Sequence, residues 1–175
     1  FALANGYKEI GAPIEHICEQ IERQRKFTNW RKNELGCDRV YFHPETEECR
    51  REIEKQVPGD VLIIDVDTSN WVFGRGKECH SPRWSREDAL SGDTHFALSS
   101  TDVGVMLLTN PKRLQRDQEL CIDSVAEIYV WDGDPSRSLC FRFRDGELRF
   151  SYGNAGRAYQ NFAAAVGLRP GVTGN

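Results

Sequence analysis

The sequence lacks a long hydrophobic run. No apolar stretch approaches the roughly 18 residues that a membrane-spanning helix needs, and the opening residues 1–5 are too short for a secretory signal peptide. We therefore expect a soluble chain without a transmembrane segment. Hydrophobic residues make up 39% and charged residues 29% of the chain, a composition that is typical of a globular protein and argues against wholesale disorder.

The chain also lacks an excess of positive charge. Its formal net charge is −4. Proteins that bind nucleic acid through overall basicity neutralise many phosphates with lysine and arginine, so nucleic acid is not an expected partner. This balance applies to the whole chain and is compatible with a local basic face.

No C-x-x-C pair is present among the six cysteines, which are spread from Cys18 to Cys140. A chain of 175 residues can bury a core without the disulfides that small secreted domains need. We therefore expect reduced thiols and a cytoplasmic protein. An even number of cysteines also allows disulfide pairing throughout, so a disulfide-stapled secreted effector or inhibitor is the alternative.

Metal-binding residue types are present, but not in a familiar arrangement. They are Cys37, His43, Cys49, Cys79 and His80. Zinc fingers hold the ion with ligand pairs two to four residues apart, and that spacing is absent here. We interpret these cysteines as small buried hydrophobic residues and assign neither a metal site nor a cofactor.

Residues 1–58 predict a helical N-terminal segment. Pro13 to Trp30 is predicted to be a helix, Arg39 to Phe42 a short strand, and Pro44 to Gln56 a second, highly charged helix. The apolar stripe of the first helix is Ile14, Ile17, Cys18 and Ile21.

Residues 59–93 contain a second hydrophobic region and then a long irregular segment. Val61 to Val66 is predicted to be a strand that pairs with Trp71 to Phe73. Gly74 to Asp93 is rich in glycine, proline, serine and charge, and predicts a loop with a helical turn at Arg86 to Leu90.

The last third of the chain predicts antiparallel strands. Val103 to Leu108 is nearly all apolar without helical spacing, which favours a buried strand. Leu120 to Trp131 predicts a strand, a bend and another strand, and Asp132 to Ser136 a turn. Leu139 to Tyr152 alternates apolar and polar residues around Asp145-Gly146, which predicts a hairpin with a type I′ turn.

A terminal helix is predicted after this hairpin. Asn154 can cap it, and Gly167 ends it. Its apolar face is Tyr159, Phe162, Ala163 and Val166.

The run from Gly104 to Leu114 reads Gly-Val-Met-Leu-Leu-Thr-Asn-Pro-Lys-Arg-Leu and resembles the strand-and-turn signature of GRAM and bacterial PH-like domains. The resemblance implies an α+β fold in which a bent antiparallel sheet, the PH-like barrel, is capped by a C-terminal helix. It covers residues 59–168, and residues 169–175 form a tail.

Two basic clusters are candidate anion-binding sites. Arg142 faces Arg149 across the predicted hairpin, and opposed like charges are destabilising unless an acid, phosphate or carboxylate answers them. Asp123 or Glu127 can supply that acid, and simple solvation is the preferred interpretation. Lys112, Arg113 and Arg116 form the second cluster; the resemblance implies that such a loop binds acidic lipid head groups.

The irregular segment combines aromatic and basic residues. Interface centres concentrate both types, so we predict a protein interface, with closure of the sheet under the loop as the equal alternative. The residues of this predicted interface are Trp71, Phe73, Arg75, Trp84 and Arg86.

Asp65 and Asp67 follow a strand-like run and resemble the nucleophile loop of haloacid-dehalogenase phosphatases. Ser69 stands where that family has threonine, and the surrounding sequence lacks a parallel-sheet pattern. We therefore favour a non-catalytic binding module, with another protein as the main expected partner and an anionic head group as the second. A metal-dependent phosphoryl-transfer hydrolase is the enzymatic alternative.

Overall fold

A computed structural model describes residues 11–56, 80–117 and 119–169. Within these residues the fold is α+β, with four helices and a mixed sheet of seven strands. The helices are α1 (Gly11–Gln24), α2 (Pro44–Gln56), α3 (Pro82–Ser91) and α4 (Ser100–Thr109). The strands are β1 (Phe27–Asn29), β2 (Val40–Phe42), β3 (His95–Ala97), β4 (Cys121–Asp123), β5 (Glu127–Trp131), β6 (Asp134–Arg144), β7 (Glu147–Asn154), β8 (Phe162–Ala164) and β9 (Val166–Leu168).

The long strand β6 is the centre of the main sheet. One of its edges pairs with β7, while the other pairs with β5 near its start and with β4 near its end. Strands β1 and β8 join in parallel to β7 and β4, and β2 joins β5. Strands β3 and β9 form a separate antiparallel pair. The described strands do not close into a barrel, so the PH-like barrel is unconfirmed.

The predicted hairpin is confirmed. Strands β6 and β7 pair antiparallel with Arg144 opposite Glu147, and Asp145 and Gly146 between them have φ values of 53° and 77°. Both positive values are those that a type I′ turn requires. The turn predicted at Asp132 to Ser136 is confirmed at its first two residues, since Asp132 has φ 51° and Gly133 has φ 76°, while residues 134–136 already belong to β6.

The N-terminal helices and the strand between them are confirmed. The predicted apolar stripe of α1 is buried, but α1 ends at Gln24 rather than Trp30. The residues that follow form β1, which pairs with β7, so residues 11–56 contribute strands to the same sheet as the rest of the chain. The predicted domain boundary at residue 58 lies outside the described residues.

The buried strand predicted at Val103 to Leu108 is wrong, because these residues belong to α4. Ser99 and Asp102 form a capping box at its start, in which each side chain accepts the other residue's backbone N–H. The helix is buried on most of its surface, so it has no polar face, and Val103 to Leu108 form a continuous apolar run. Gly104 lets α4 approach α1, since a Cβ there would lie 2.6 Å from Ile17 Cγ2.

The predicted terminal helix is also wrong. Asn154 accepts the N–H of Gly156 in a local turn, and the chain then forms β8 and β9. The backbone groups of this segment bond to distant strands: Cys121 donates to the carbonyl of Asn161, and Ala165 donates to that of Asp123. These ladder bonds replace those of a helix.

Other predictions fall partly or wholly outside the described residues. The strand pair at residues 61–73, with Asp65 and Asp67, lies there entirely. In the part of the predicted loop that the structure describes, the helical turn is extended to the whole of α3.

The core lies between the paired helices α1 and α4 and one face of the sheet. Ile14 and Val103 from the helices meet Phe141 and Phe150 from β6 and β7, all of them buried. None of the described helices combines the length and the hydrophobicity that crossing a membrane requires.

Candidate functional site

A groove lies beside the β6–β7 hairpin. Side chains alternate along β6, so Phe141 enters the core while Arg142 projects from the opposite face of the sheet. A cavity of about 340 Å³ opens there. Its lining residues are Asp117, Glu119, Cys121, Arg142, Phe143, Arg144, Asp145, Asn161 and Phe162.

Arg142 is the exceptional side chain of this groove. Its Nε is buried and donates to no acceptor, and no described carboxylate lies within ion-pair distance of it. Its guanidinium carbon stands 5.4 Å from the ring centroid of Trp30. Trp30 directly follows β1 and donates its backbone N–H to the Phe150 carbonyl. The ring attracts the cation but offers its donors no oxygen.

Arg149, the strand partner of Arg142, is fully engaged. Its guanidinium lies 2.9 Å from the Glu147 carboxylate and 3.0 Å from the Asp145 carboxylate. The hydrogen bond that Arg149 donates to the Glu147 carboxylate and the charge of Asp145 raise the pKa of Arg149. The carboxylates that pair with an arginine of this facing pair thus belong to the hairpin itself and not to Asp123 or Glu127. Of the two facing arginines, they contact Arg149.

The other charged side chains of the groove also divide into groups with partners and groups without. Glu119 accepts the backbone N–H groups of Leu114, Gln115 and Arg116, so its oxygens are occupied. Asp145 is paired with Arg149. Asp117 is exposed, and within the described part of the chain no cation or donor contacts it.

Two cysteines and an acid lie on the paired strands β4 and β6, which contribute to the groove. Cys121 lines the groove, and Asp123, two residues further along β4, is paired in register with Cys140. Burial raises the pKa of Cys121 to about 11 and that of Asp123 well above its usual value. Because the thiolate is the nucleophilic form, Cys121 is a poor nucleophile at neutral pH.

The second predicted basic cluster lies next to the groove. Lys112, Arg113 and Arg116 are exposed on the loop that follows α4, not on a strand end. Arg25 donates to the carbonyls of Pro111 and Arg113 at 3.2 and 2.6 Å and holds this loop in place. The loop leads directly into Asp117 and Glu119 at the groove.

The structure separates the predicted interface residues. Trp84 is 40% exposed and stacks on His80 with ring centroids 3.7 Å apart. Arg86 is buried, and its guanidinium donates to the carbonyls of Val125 and Glu127 at 2.5 and 2.8 Å. Arg86 therefore crosslinks the interior and is not part of an exposed surface. The remaining three residues of the predicted interface, Trp71, Phe73 and Arg75, lie outside the described residues.

Sequence reasoning did not find a buried ionic network at the start of α4. Arg50 of α2 pairs with Asp102 at 2.6 Å, and both carboxylate oxygens of Glu127 lie 2.9 Å from the N–H of Ser100. Burial is the main cause that raises the pKa of Glu127 to about 7. The spacing of Ser99 and Asp102 was the available signal for this helix start.

The candidate metal ligands do not converge in the described part of the chain. No group of three or more histidine, cysteine or acidic side chains there is arranged to hold an ion. Five of the six cysteines lie within the described residues, and all five have free thiols. Cys79 lies outside the described residues.

Comparisons of the chain with protein-family models, with curated proteins and with solved structures found no match. The side chains of the groove are therefore the basis for assigning a function.

Proposed function

We propose that this protein is a non-catalytic binding module whose groove receives an anionic group, a carboxylate or a phosphate, presented by another protein. The observation that carries the proposal is the position of Arg142, a half-buried side chain that lines the groove and whose buried Nε finds no acceptor among the described residues. By contrast, the neighbouring Arg149 on the same sheet forms ion pairs with two carboxylates.

An anion would satisfy Arg142. A buried donor without an acceptor costs about 1–3 kcal/mol, and a hydrogen bond to a charged group contributes about 1.5–3 kcal/mol. The planar fork of arginine donors matches the oxygens of a carboxylate or phosphate. Trp30 lies under the guanidinium and limits its motion, so less conformational freedom is lost on binding.

The mixed charge of the groove favours a single acidic group on a protein over a membrane surface. Asp117, Glu119 and Asp145 line the same groove and would repel a densely anionic bilayer. The exposed cluster of Lys112, Arg113 and Arg116 is the observation that supports acidic head groups as the second candidate ligand.

The chemistry of the groove supports binding over catalysis. The Cys121 thiol, with a pKa of about 11, is poorly suited to nucleophilic attack at neutral pH. The hydrolase alternative depends on Asp65 and Asp67, outside the described residues, and stays a hypothesis. The relationship to PH-like and GRAM domains and the cytoplasmic location also stay predictions.

The experiment follows the Arg142 Nε–H signal by ¹⁵N NMR while acetate or inorganic phosphate is titrated at constant ionic strength. We expect this signal to shift with saturation. Affinity, measured from the backbone amides of Cys121 and Phe143, should fall about tenfold or more in Arg142→Gln.

Arg144→Gln is the matched variant, because Arg144 lines the same groove but is 66% exposed. It removes the same charge, and we expect it to change affinity by less than about threefold. Equal losses of affinity in the two variants would mean that the anion responds only to the general positive charge of the groove, which would contradict a specific role for Arg142. An Arg142 Nε–H signal that does not shift during the titration would overturn the proposal.

A further inference from the structure

We infer that the ligand of this groove is zwitterionic, with an ammonium group close to its carboxylate, as in a free amino acid or a short peptide segment that carries both charges. The inference rests on the anion-binding part of the proposed function and adds a second recognition group, Asp117. A peptide segment would keep another protein as the partner, whereas a free amino acid would replace it. Arg142 would bind the carboxylate and Asp117 the ammonium.

The charge inventory of the groove leads to this assignment. Glu119 is occupied by backbone N–H groups, and Asp145 is paired with Arg149. Arg144 lies 3.8 Å from Asp145 and is mostly exposed. One guanidinium, Arg142, and one carboxylate, Asp117, remain without a partner among the described residues.

This pair disfavours ligands of a single charge. A polyanion would meet three lining carboxylates, and a simple cation would meet Arg142 and Arg144. A ligand that carries both charges offers each unpaired group a partner and leaves the existing pairs intact. Discrimination then comes from repulsion as well as attraction.

The rest of the lining suits an amino acid. The rings of Phe143 and Phe162 give the groove an apolar wall, and the amide of Asn161 adds neutral donors and acceptors. The cavity volume of about 340 Å³ lies at the small end of ligand sites, which range over about 300–1,000 Å³. A small molecule or a few residues of a peptide fit this space better than the face of a folded domain.

Three matched probes test the inference by calorimetry or NMR titration: L-phenylalanine, N-acetyl-phenylalanine, which lacks the ammonium, and phenylalanine amide, which lacks the carboxylate. We expect phenylalanine to bind about threefold or more tightly than N-acetyl-phenylalanine, as an exposed ion pair permits. Phenylalanine amide should bind most weakly of the three. Arg142→Gln should weaken the binding of phenylalanine and of N-acetyl-phenylalanine, the two probes that carry a carboxylate.

Asp117→Asn should abolish the preference for phenylalanine over its acetylated form. Asp145→Asn removes the same charge from the same groove, but its carboxylate already pairs with Arg149, so the preference should persist in this variant. Folding of both variants is verified by circular dichroism before titration.

The outcomes separate the inference from the function on which it rests. N-acetyl-phenylalanine binding as tightly as phenylalanine, with both sensitive to Arg142→Gln, would overturn the zwitterion but leave the anion-binding function standing. If neither phenylalanine nor N-acetyl-phenylalanine binds, and the Arg142 signal does not shift in phosphate or acetate, the zwitterion inference and the anion-binding function are both overturned.

Two further probes identify the source of the zwitterion. The blocked peptide acetyl-Asp-Phe-Lys-amide presents the charges on side chains, so tighter binding than phenylalanine would indicate a peptide segment, and weaker binding a free amino acid. Phosphoethanolamine carries the same two charges without the apolar ring. If it binds more tightly than phenylalanine and the peptide, the ligand is a lipid head group and the assignment is wrong.

Discussion

Arg142 and Arg149 lie opposite each other on β6 and β7, yet of the two only Arg149 contacts a carboxylate of the described residues. Both guanidinium groups stand over the ring of Trp30, at 5.4 and 5.2 Å from its centroid. The two arginines therefore lie over the same ring, that of Trp30, but differ in their carboxylate partners. The two carboxylates give Arg149 a stabilising role, whereas the contact found for the Arg142 guanidinium among the described residues is the ring of Trp30.

This difference predicts opposite effects on stability. Arg149→Gln leaves Glu147 and Asp145 without their cation, and we expect it to lower the free energy of unfolding. Arg142→Gln removes a cation that opposes Arg149 and a buried donor without an acceptor, so stability should be unchanged or higher. Urea unfolding of the two variants checks this order, and a larger loss in Arg142→Gln would contradict the interpretation.

Glu127 predicts that stability falls as pH rises above the acidic range. Its pKa is about 7 in the folded protein against an ordinary value of 4.5, so between these values the folded state holds a proton that the unfolded state has lost. Stability is therefore highest below pH 4.5 with respect to this group and is lost as pH rises to about 7. The difference corresponds to about 3 kcal/mol.

Glu127→Gln isolates this contribution in unfolding experiments between about pH 4.5 and 8.5. Asp123 acts in the same direction because burial raises its pKa, whereas burial lowers the pKa of His43 and makes it act in the opposite direction. We expect the glutamine variant to have a flatter pH profile over this range. A profile with the slope of the original protein would show that Glu127 is ionised in the folded state.

The hairpin and its facing arginines could be predicted because a two-residue turn fixes the register of both strands. The partners of those arginines could not. Trp30 reaches the site through the parallel pairing of β1 with β7, and the loop to Asp117 follows α4, which was predicted to be a strand. Contacts between segments far apart in sequence leave no local periodicity.

The two mistaken elements have related causes. Helix α4 is buried nearly all round, and a short apolar run does not distinguish a buried helix from a buried strand. The spacing of Phe162, Ala163 and Val166 fits a helical face, but β8 and β9 take their hydrogen bonds from β4 and β3. Tertiary pairing outweighs local propensity in such short segments.

Gly104→Ala should destabilise the protein although alanine favours helices. A Cβ at this position would lie 2.6 Å from Ile17 Cγ2 and 3.5 Å from Phe141 Cζ, so α1 or the sheet must move. Overpacking of this kind costs about 1–3 kcal/mol. Gly92→Ala, at the end of α3, meets only a carbonyl at 3.5 Å and should change the free energy of unfolding by less than about 0.5 kcal/mol. Similar midpoints in urea for the two variants would contradict the tight packing of α1 on α4.

Replacing Lys112, Arg113 and Arg116 together by alanine separates the exposed basic cluster from the groove. These side chains point to solvent, and their loop is held by Arg25 and Glu119 through backbone groups that the substitutions retain. We expect any salt-sensitive binding to phosphatidylserine vesicles to weaken by about 1 kcal/mol for each charge removed, while acetate and phosphate still shift the Arg142 signal. Flotation with vesicles and the NMR titration are run on the same variant. Loss of the anion response at Arg142 would mean that the two clusters act as one site, and binding to vesicles that stays unchanged would exclude the loop as a head-group contact.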